Sequence, residues 1–238
     1  MSAAIPNARP FDASFHRGPS LGALATVFVG LFAASLVVAT AMTGGARFPR
    51  PYDPVPLAQD YFTQHADAVR IAAFLQFGSA IPLGLFTATV TSRLRFLGMR
   101  VAGVDIALFG GFASSIFLAL SAMTGWVLSQ PGVATEAGAL RTLQLLGFIT
   151  GGAGHVATLG LLLAGVSVPA AFARLLPRWL VWLGLIVAAI AELSTLSLIL
   201  PMTAILLPLG RFPAFIWLIG TGFSMPKSRS SRDGEAAA

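Results

Sequence analysis

Four polar residues stand inside long apolar runs and could do chemistry there: Gln76, His155, Glu192 and Arg211. A lone carboxylate or guanidinium in hydrocarbon is costly, so intramembrane ionisable residues pair with one another and mark ion paths, proton relays or ligand sites. At 1.5 Å rise per residue, Glu192 is expected roughly 12 Å, and Arg211 roughly 10–12 Å, from the same end of their spans. Gln76 falls at a similar depth and His155 nearer the midplane. The spacing predicts a polar cluster in the outer half of a helix bundle, centred on a Glu192–Arg211 ion pair. Its plainer meaning is a buried pair that fixes helix register; its functional meaning is an ion, proton or small-ligand site.

Other chemistry finds little support. There is no cysteine, which removes disulfides, thiolate metal sites, iron–sulfur clusters and a cysteine nucleophile. A haem held between helices wants two intramembrane histidines, and His16 and His65 fall outside the apolar runs. No zinc-binding spacing and no Gly-x-Ser-x-Gly elbow occurs. No metal or cofactor is therefore expected. Asp53, Asp60 and Asp67 share one loop region seven residues apart, a loose face for an enzyme acting on lipid or an isoprenoid. Asp105 near Arg100 suits the positive end of a helix dipole. The run Thr150-Gly151-Gly152-Ala153-Gly154-His155 could unwind a span, although glycine also permits close packing.

The elements that must position these residues are membrane spans. The chain has 238 residues, is 56% hydrophobic and 10% charged, with mean hydropathy +0.82. Soluble domains carry about 25% charged residues. Six spans are expected, each of about 20 residues or more: Leu21–Thr43, Val69–Thr91, Val101–Leu128, Leu140–Ala171, Trp179–Leu200 and Thr203–Phe223. The fold class is thus all-α, a polytopic bundle of about six transmembrane helices. Residues 1–20 form a polar tail, 21–225 the transmembrane domain, and 226–238 a disordered tail. A short surface helix is expected from Leu57 to Ala68, on the spacing of Leu57, Tyr61 and His65. Pro201, Pro208 and Pro213 predict a kinked or re-entrant start to the last span.

Net charge is +6, and fourteen of the fifteen basic residues are arginine. They sit in short loops beside apolar spans, without the aromatic interleaving of a nucleic-acid surface. Ten of them fall on the tails and the second and fourth loops, five on the other side. The positive-inside rule therefore places both termini in the cytoplasm.

Small residues recur every four positions, at Ala72, Gln76, Ala80, Gly84, Ala88 and Ser92, and again at Gly103, Ala107, Gly111, Ser115 and Ala119. Such stripes let helices approach closely. In the later spans Gly147 and Gly151 lead to His155, and Gly184 and Ala188 lead to Glu192, so these polar side chains are expected to face protein. A weak internal repeat relates Pro82-Leu83-Gly84-Leu85-Phe86 and the following Ser92-Arg93-Leu94 to Thr158-Leu159-Gly160-Leu161-Leu162 and Ala173-Arg174-Leu175.

Three segments carry a resemblance: Ser79-Ala80-Ile81-Pro82-Leu83-Gly84, Leu176-Pro177-Arg178-Trp179-Leu180, and Leu207-Pro208-Leu209-Gly210-Arg211-Phe212-Pro213-Ala214-Phe215-Ile216-Trp217-Leu218. Over about residues 74–225 the chain resembles a family of small bacterial six-span integral membrane proteins classed as a domain of unknown function. The resemblance implies six spans in a bacterial inner membrane and carries no activity. Expected partners are the lipid bilayer, a small ligand or ion, and a second copy or membrane partner; nucleic acid is not among them. The sequence thus reads as non-enzymatic, a binding protein using the polar cluster or a structural subunit acting through its stripes.

Overall fold

The computed structural model describes residues 15–228. Among them every regular element is helical, and six helices are long and apolar enough to cross a membrane. The chain is a polytopic α-helical membrane bundle. Helix α1 (Leu21–Met42) starts at Ser20, whose hydroxyl accepts from the Ala23 backbone N–H. Helices α3 (Ala66–Phe96) and α4 (Ala102–Leu128) follow, then α5 (Ala137–Ile149), which continues through a π-helical turn at Thr150–Gly154 into α6 (His155–Phe172). Helix α7 (Arg178–Leu193) tightens into a 3₁₀ turn. A second 3₁₀ turn at Pro201–Ile205 leads into α8 (Leu206–Ser224), so the prolines make a tightened entry, with Pro213 carried inside the helix.

Six crossings return the chain to its starting face. His16 N–H donates to the Lys227 carbonyl at 2.9 Å, and Phe15 bridges Ser228. Lys227 and Ser228, within the expected disordered tail, are thus tied to the amino-terminal strap; residues 1–14 and 229–238 lie outside the described residues.

The short helix α2 (Val55–Gln64) lies on the opposite face, separate from α3 because His65 leaves helical geometry at φ −116° and ψ 27°. Its Ala58, Tyr61 and Phe62 are buried with Val69, Leu128 and Leu140, so it caps the bundle. Arg141 ties the preceding loop down by donating to the carbonyls of Pro51 and of Asp53, the latter at 2.9 Å.

The main core runs from Leu21 through Phe86, Leu118 and Leu163 to Trp217. Its closest seams are glycine-lined. A Cβ on Gly165 would stand 2.5 Å from the Gly103 carbonyl oxygen, and one on Gly110 would stand 2.7 Å from that of Thr158. These positions let α4 and α6 touch backbone to backbone.

The four-residue stripes do not stay on one face. An α-helix has 3.6 residues per turn, so each step of four turns by a further ~40°. On α4, Gly103 meets Pro169 of α6, whereas Gly111 meets Thr87 and Ser115 donates to the Ala80 carbonyl, both on α3. On α3 the stripe ends outward, with Ala88 and Ser92 exposed.

The two hairpins of the weak repeat end their first helices alike. Met99 N–H reaches back to the Leu94 carbonyl around Gly98 at φ +92°, and Leu175 N–H reaches back to Ala170 around Arg174 at φ +52°. Gly98 and Arg174 stand in the same register as Pro82 and Thr158. The expected match of Arg93 with Arg174 is out of that register by five positions.

Candidate functional site

His155 is completely buried at the end of the π-helical turn. Its backbone N–H reaches the Thr150 carbonyl five residues back, which defines the widened turn. Such turns are rare and concentrate at functional positions. Glycine allows this one: a Cβ on Gly151 would overlap Ser121, and one on Gly154 would stand 2.9 Å from the Phe117 ring.

Ser114 of α4 grips His155. Its hydroxyl lies 2.8 Å from His155 Nδ1 and donates to the His155 carbonyl at 3.0 Å, while Nδ1 lies 3.0 Å from the Ser114 carbonyl. Both partners of Nδ1 can accept, and the hydroxyl hydrogen is used on the His155 carbonyl. The bonding assigns the proton of a neutral imidazole to Nδ1. Nε2 is then a lone-pair acceptor, buried and without a hydrogen-bond partner.

Arg211 enters from α8 and donates from Nη2 to the Gly151 carbonyl, within the same widened turn. Its guanidinium carbon lies 5.5 Å from the centroid of Phe32, whose ring packs 5.1 Å from Phe215. Arg211 Nε is buried and has no partner. Below Arg211 and His155, towards the α2 face, Ser121 donates to the Gly147 carbonyl at 3.1 Å, and Gln144 is 6% exposed with both amide atoms unpartnered.

The expected Glu192–Arg211 ion pair does not form; the ion pairs among the described residues are Arg47–Asp53, Asp67–Arg70 and Arg95–Asp105. Glu192 is exposed on the outer side of α7, its carboxylate 3.4 Å from the Cβ position of Gly160 on α6. The cause is again the ~40° drift of four-residue spacing. Gly184 and Ala188 are buried, but by the next step Ala191 and Ser194 have taken the inner positions. Gln76 is half-buried on α3, and its backbone carbonyl accepts from Ser79 at 2.6 Å. No hydrogen bond or ion pair joins the side chain of Gln76 or Glu192 to His155 or Arg211 among the described residues. Of the four expected residues, the fold brings His155 and Arg211 to one layer.

The remaining sequence expectations find simpler roles. Asp105 pairs with Arg95 at 2.5 Å, not with Arg100. Asp53 accepts from the Arg50 backbone at 2.7 Å, Asp67 pairs with Arg70 at 3.3 Å, and Asp60 is exposed on α2. No cluster of three His, Cys, Asp or Glu that could hold a metal occurs among the described residues.

Three residues went unflagged in the sequence. Ser114 lies mid-span and Gln144 early in the fourth span; either could have been found as an intramembrane polar residue. Arg93 was assigned to a basic loop, but α3 runs five residues beyond the expected Thr91 and buries it.

Fold and site together define a multi-pass helical membrane protein with a buried, basic polar layer at a π-helical turn. No family model, curated protein or solved structure matches the chain.

Proposed function

We propose that the His155–Arg211 layer binds a small weak acid, which would hydrogen-bond to Arg211 Nε and share its proton with His155 Nε2. The observation that carries this reading is the pair of buried, unpartnered nitrogens, one a donor and one an acceptor, at the same widened turn. Buried polar groups are nearly always satisfied, and each exception asks for an explanation. A protonated carboxyl or a similar oxyacid offers one acceptor and one donor, the chemical complement of the two nitrogens. The basic residues, weighted to the side of the termini, support cytoplasmic ends, and the family resemblance supports a bacterial inner membrane.

The test is thermal unfolding of detergent-purified protein with a panel of small carboxylates and inorganic oxyanions. At least one should raise the melting temperature saturably in the wild type and fail to do so in Arg211→Gln and His155→Gln. A panel that leaves the folded wild type unmoved contradicts the reading.

A second reading is a structural or regulatory subunit. It rests on Glu192, an exposed carboxylate within a span, which a partner helix bearing Lys or Arg would satisfy. The small-residue stripes argue less for it, because Gly103, Gly111 and Gly165 are spent on contacts within the chain. A sedimenting species larger than the monomer, lost in Glu192→Gln, would favour this second role.

A further inference from the structure

The face that carries both ends of the chain holds a second basic centre, separate from His155 and Arg211. Arg93, in the last turn of α3, leaves 1% of its surface exposed, yet Nε and Nη1 are buried without a hydrogen-bond partner. Beside it the strap residue His16 places Nε2 3.1 Å from the Ser92 hydroxyl and packs its ring 5.6 Å from Phe96. His16 Nδ1 is likewise buried and unpartnered, and the ring is close enough to feel the charge of Arg93.

No carboxylate among the described residues serves Arg93. Among the described residues the one acid at this end of the bundle, Asp105, is bound by Arg95 at 2.5 Å. A guanidinium stays charged in proteins, so it cannot relieve its burial by losing a proton. Leaving such a charge uncompensated is strongly destabilising, whereas a bound anion satisfies charge and hydrogen bonds together. Arginine N–H groups are strong, charge-assisted donors to phosphate oxygens.

We propose that Arg93 and His16, with the Ser92 hydroxyl, form a binding site for a phosphate-class oxyanion on the face of the chain termini. Arg93 supplies the charge and two N–H donors, and His16 supplies Nδ1 from the strap that covers them. The strap is held over them by the His16–Lys227 backbone bond at 2.9 Å and by the Phe15–Ser228 bridge. The last turn of a spanning helix lies at headgroup depth, where basic pockets take lipid phosphates. A lipid headgroup and free phosphate present the same recognition chemistry.

Two probes separate the sources. Inorganic phosphate is titrated calorimetrically into protein in neutral detergent, and retained lipid is read by native mass spectrometry after exchange into phosphatidylcholine nanodiscs containing phosphatidylglycerol. The expected result is saturable binding of at least one probe, weakened about tenfold or more in Arg93→Gln, less in Arg93→Lys, and unchanged in Arg178→Gln, an exposed arginine outside both sites. Phosphate binding without retained phosphatidylglycerol assigns free anion; retained phosphatidylglycerol assigns the headgroup. If Arg93→Gln does not fold, His16→Gln on the half-exposed strap carries the same test. Binding of neither probe to folded wild type, or equal binding in the wild type and both variants, overturns the proposal.

Discussion

Ser114 and His155 bind each other in both directions across the α4–α6 seam, Nδ1 to hydroxyl at 2.8 Å and hydroxyl to backbone carbonyl at 3.0 Å. That exchange orients the imidazole, and with it the lone pair at Nε2. Ser114→Ala should cost about 1 kcal/mol of stability, the usual figure for a lost buried hydrogen bond. The Ser114 backbone carbonyl still receives Nδ1 in that variant, so the tautomer should be kept. Nitrogen-15 spectra of histidine-labelled protein should place the His155 proton on Nδ1 in the wild type and in the variant. A wild-type proton on Nε2 would refute the assignment.

The α4–α6 seam depends on glycine. Gly165→Ala would drive a methyl group to 2.5 Å from the Gly103 carbonyl oxygen, and backbone cannot step aside as a side chain can. A loss on the order of 1–3 kcal/mol is expected. Gly78→Ala, whose nearest neighbour is a Leu31 methyl at 3.9 Å, serves as the control and should be nearly neutral. Equal melting temperatures for the two variants would show that the seam is looser than described.

Arg174 is exposed and holds a left-handed backbone at φ +52°, a conformation that costs L-residues with a Cβ roughly 1–2 kcal/mol. Gly98 fills the equivalent position at the end of α3. Arg174→Gly should therefore stabilise the protein, by on the order of 0.5 kcal/mol once glycine's greater unfolded freedom is counted. Gly98→Ala should do the reverse. Unfolding in a denaturant series measures both, and a destabilised Arg174→Gly would remove backbone strain from the account.

The strap should respond to pH. Burial, and then the charge of Arg93, hold His16 below its ordinary value of 6.5. A group whose folded value is lowered stabilises the fold fully above its unfolded value, and loses that contribution as pH falls from about 6.5 through the folded value. Hydrogen exchange at the His16 amide, corrected for intrinsic rate, should accelerate between pH 7 and pH 5. The acceleration should vanish in His16→Gln, and an amide indifferent to pH in the wild type would contradict the coupling.

How much of this could be read in the sequence depends on which property was at stake. The spans follow from hydropathy and length, and α1 and α4 end within a residue of where the apolar runs stop. His155 reads correctly as buried because it sits mid-span among glycines. Glu192 does not, because four-residue spacing keeps a face for only a step or two before the ~40° drift carries it outward. Depth along a helix is legible from counting residues, but azimuth is not, and the Glu192–Arg211 pair was inferred from depth alone. Arg93 was missed for a related reason: its charge suggested a loop, while the aliphatic stem let α3 run on and cover it. The π-helical turn was foreshadowed by Gly151, Gly152 and Gly154, but the Arg211 contact it receives comes from sixty residues away.

The central claim, that the His155–Arg211 layer holds a small acid, is tested most directly by native mass spectrometry of the protein released from lipid nanodiscs. The account predicts a stoichiometric acidic small molecule on the wild type that is absent from Arg211→Gln and His155→Gln and retained in Glu192→Gln. A wild-type mass accounted for by the bare chain and lipid alone, after growth and purification that keep the protein folded, would contradict it and leave Arg211 as a packing contact to the π-helical turn.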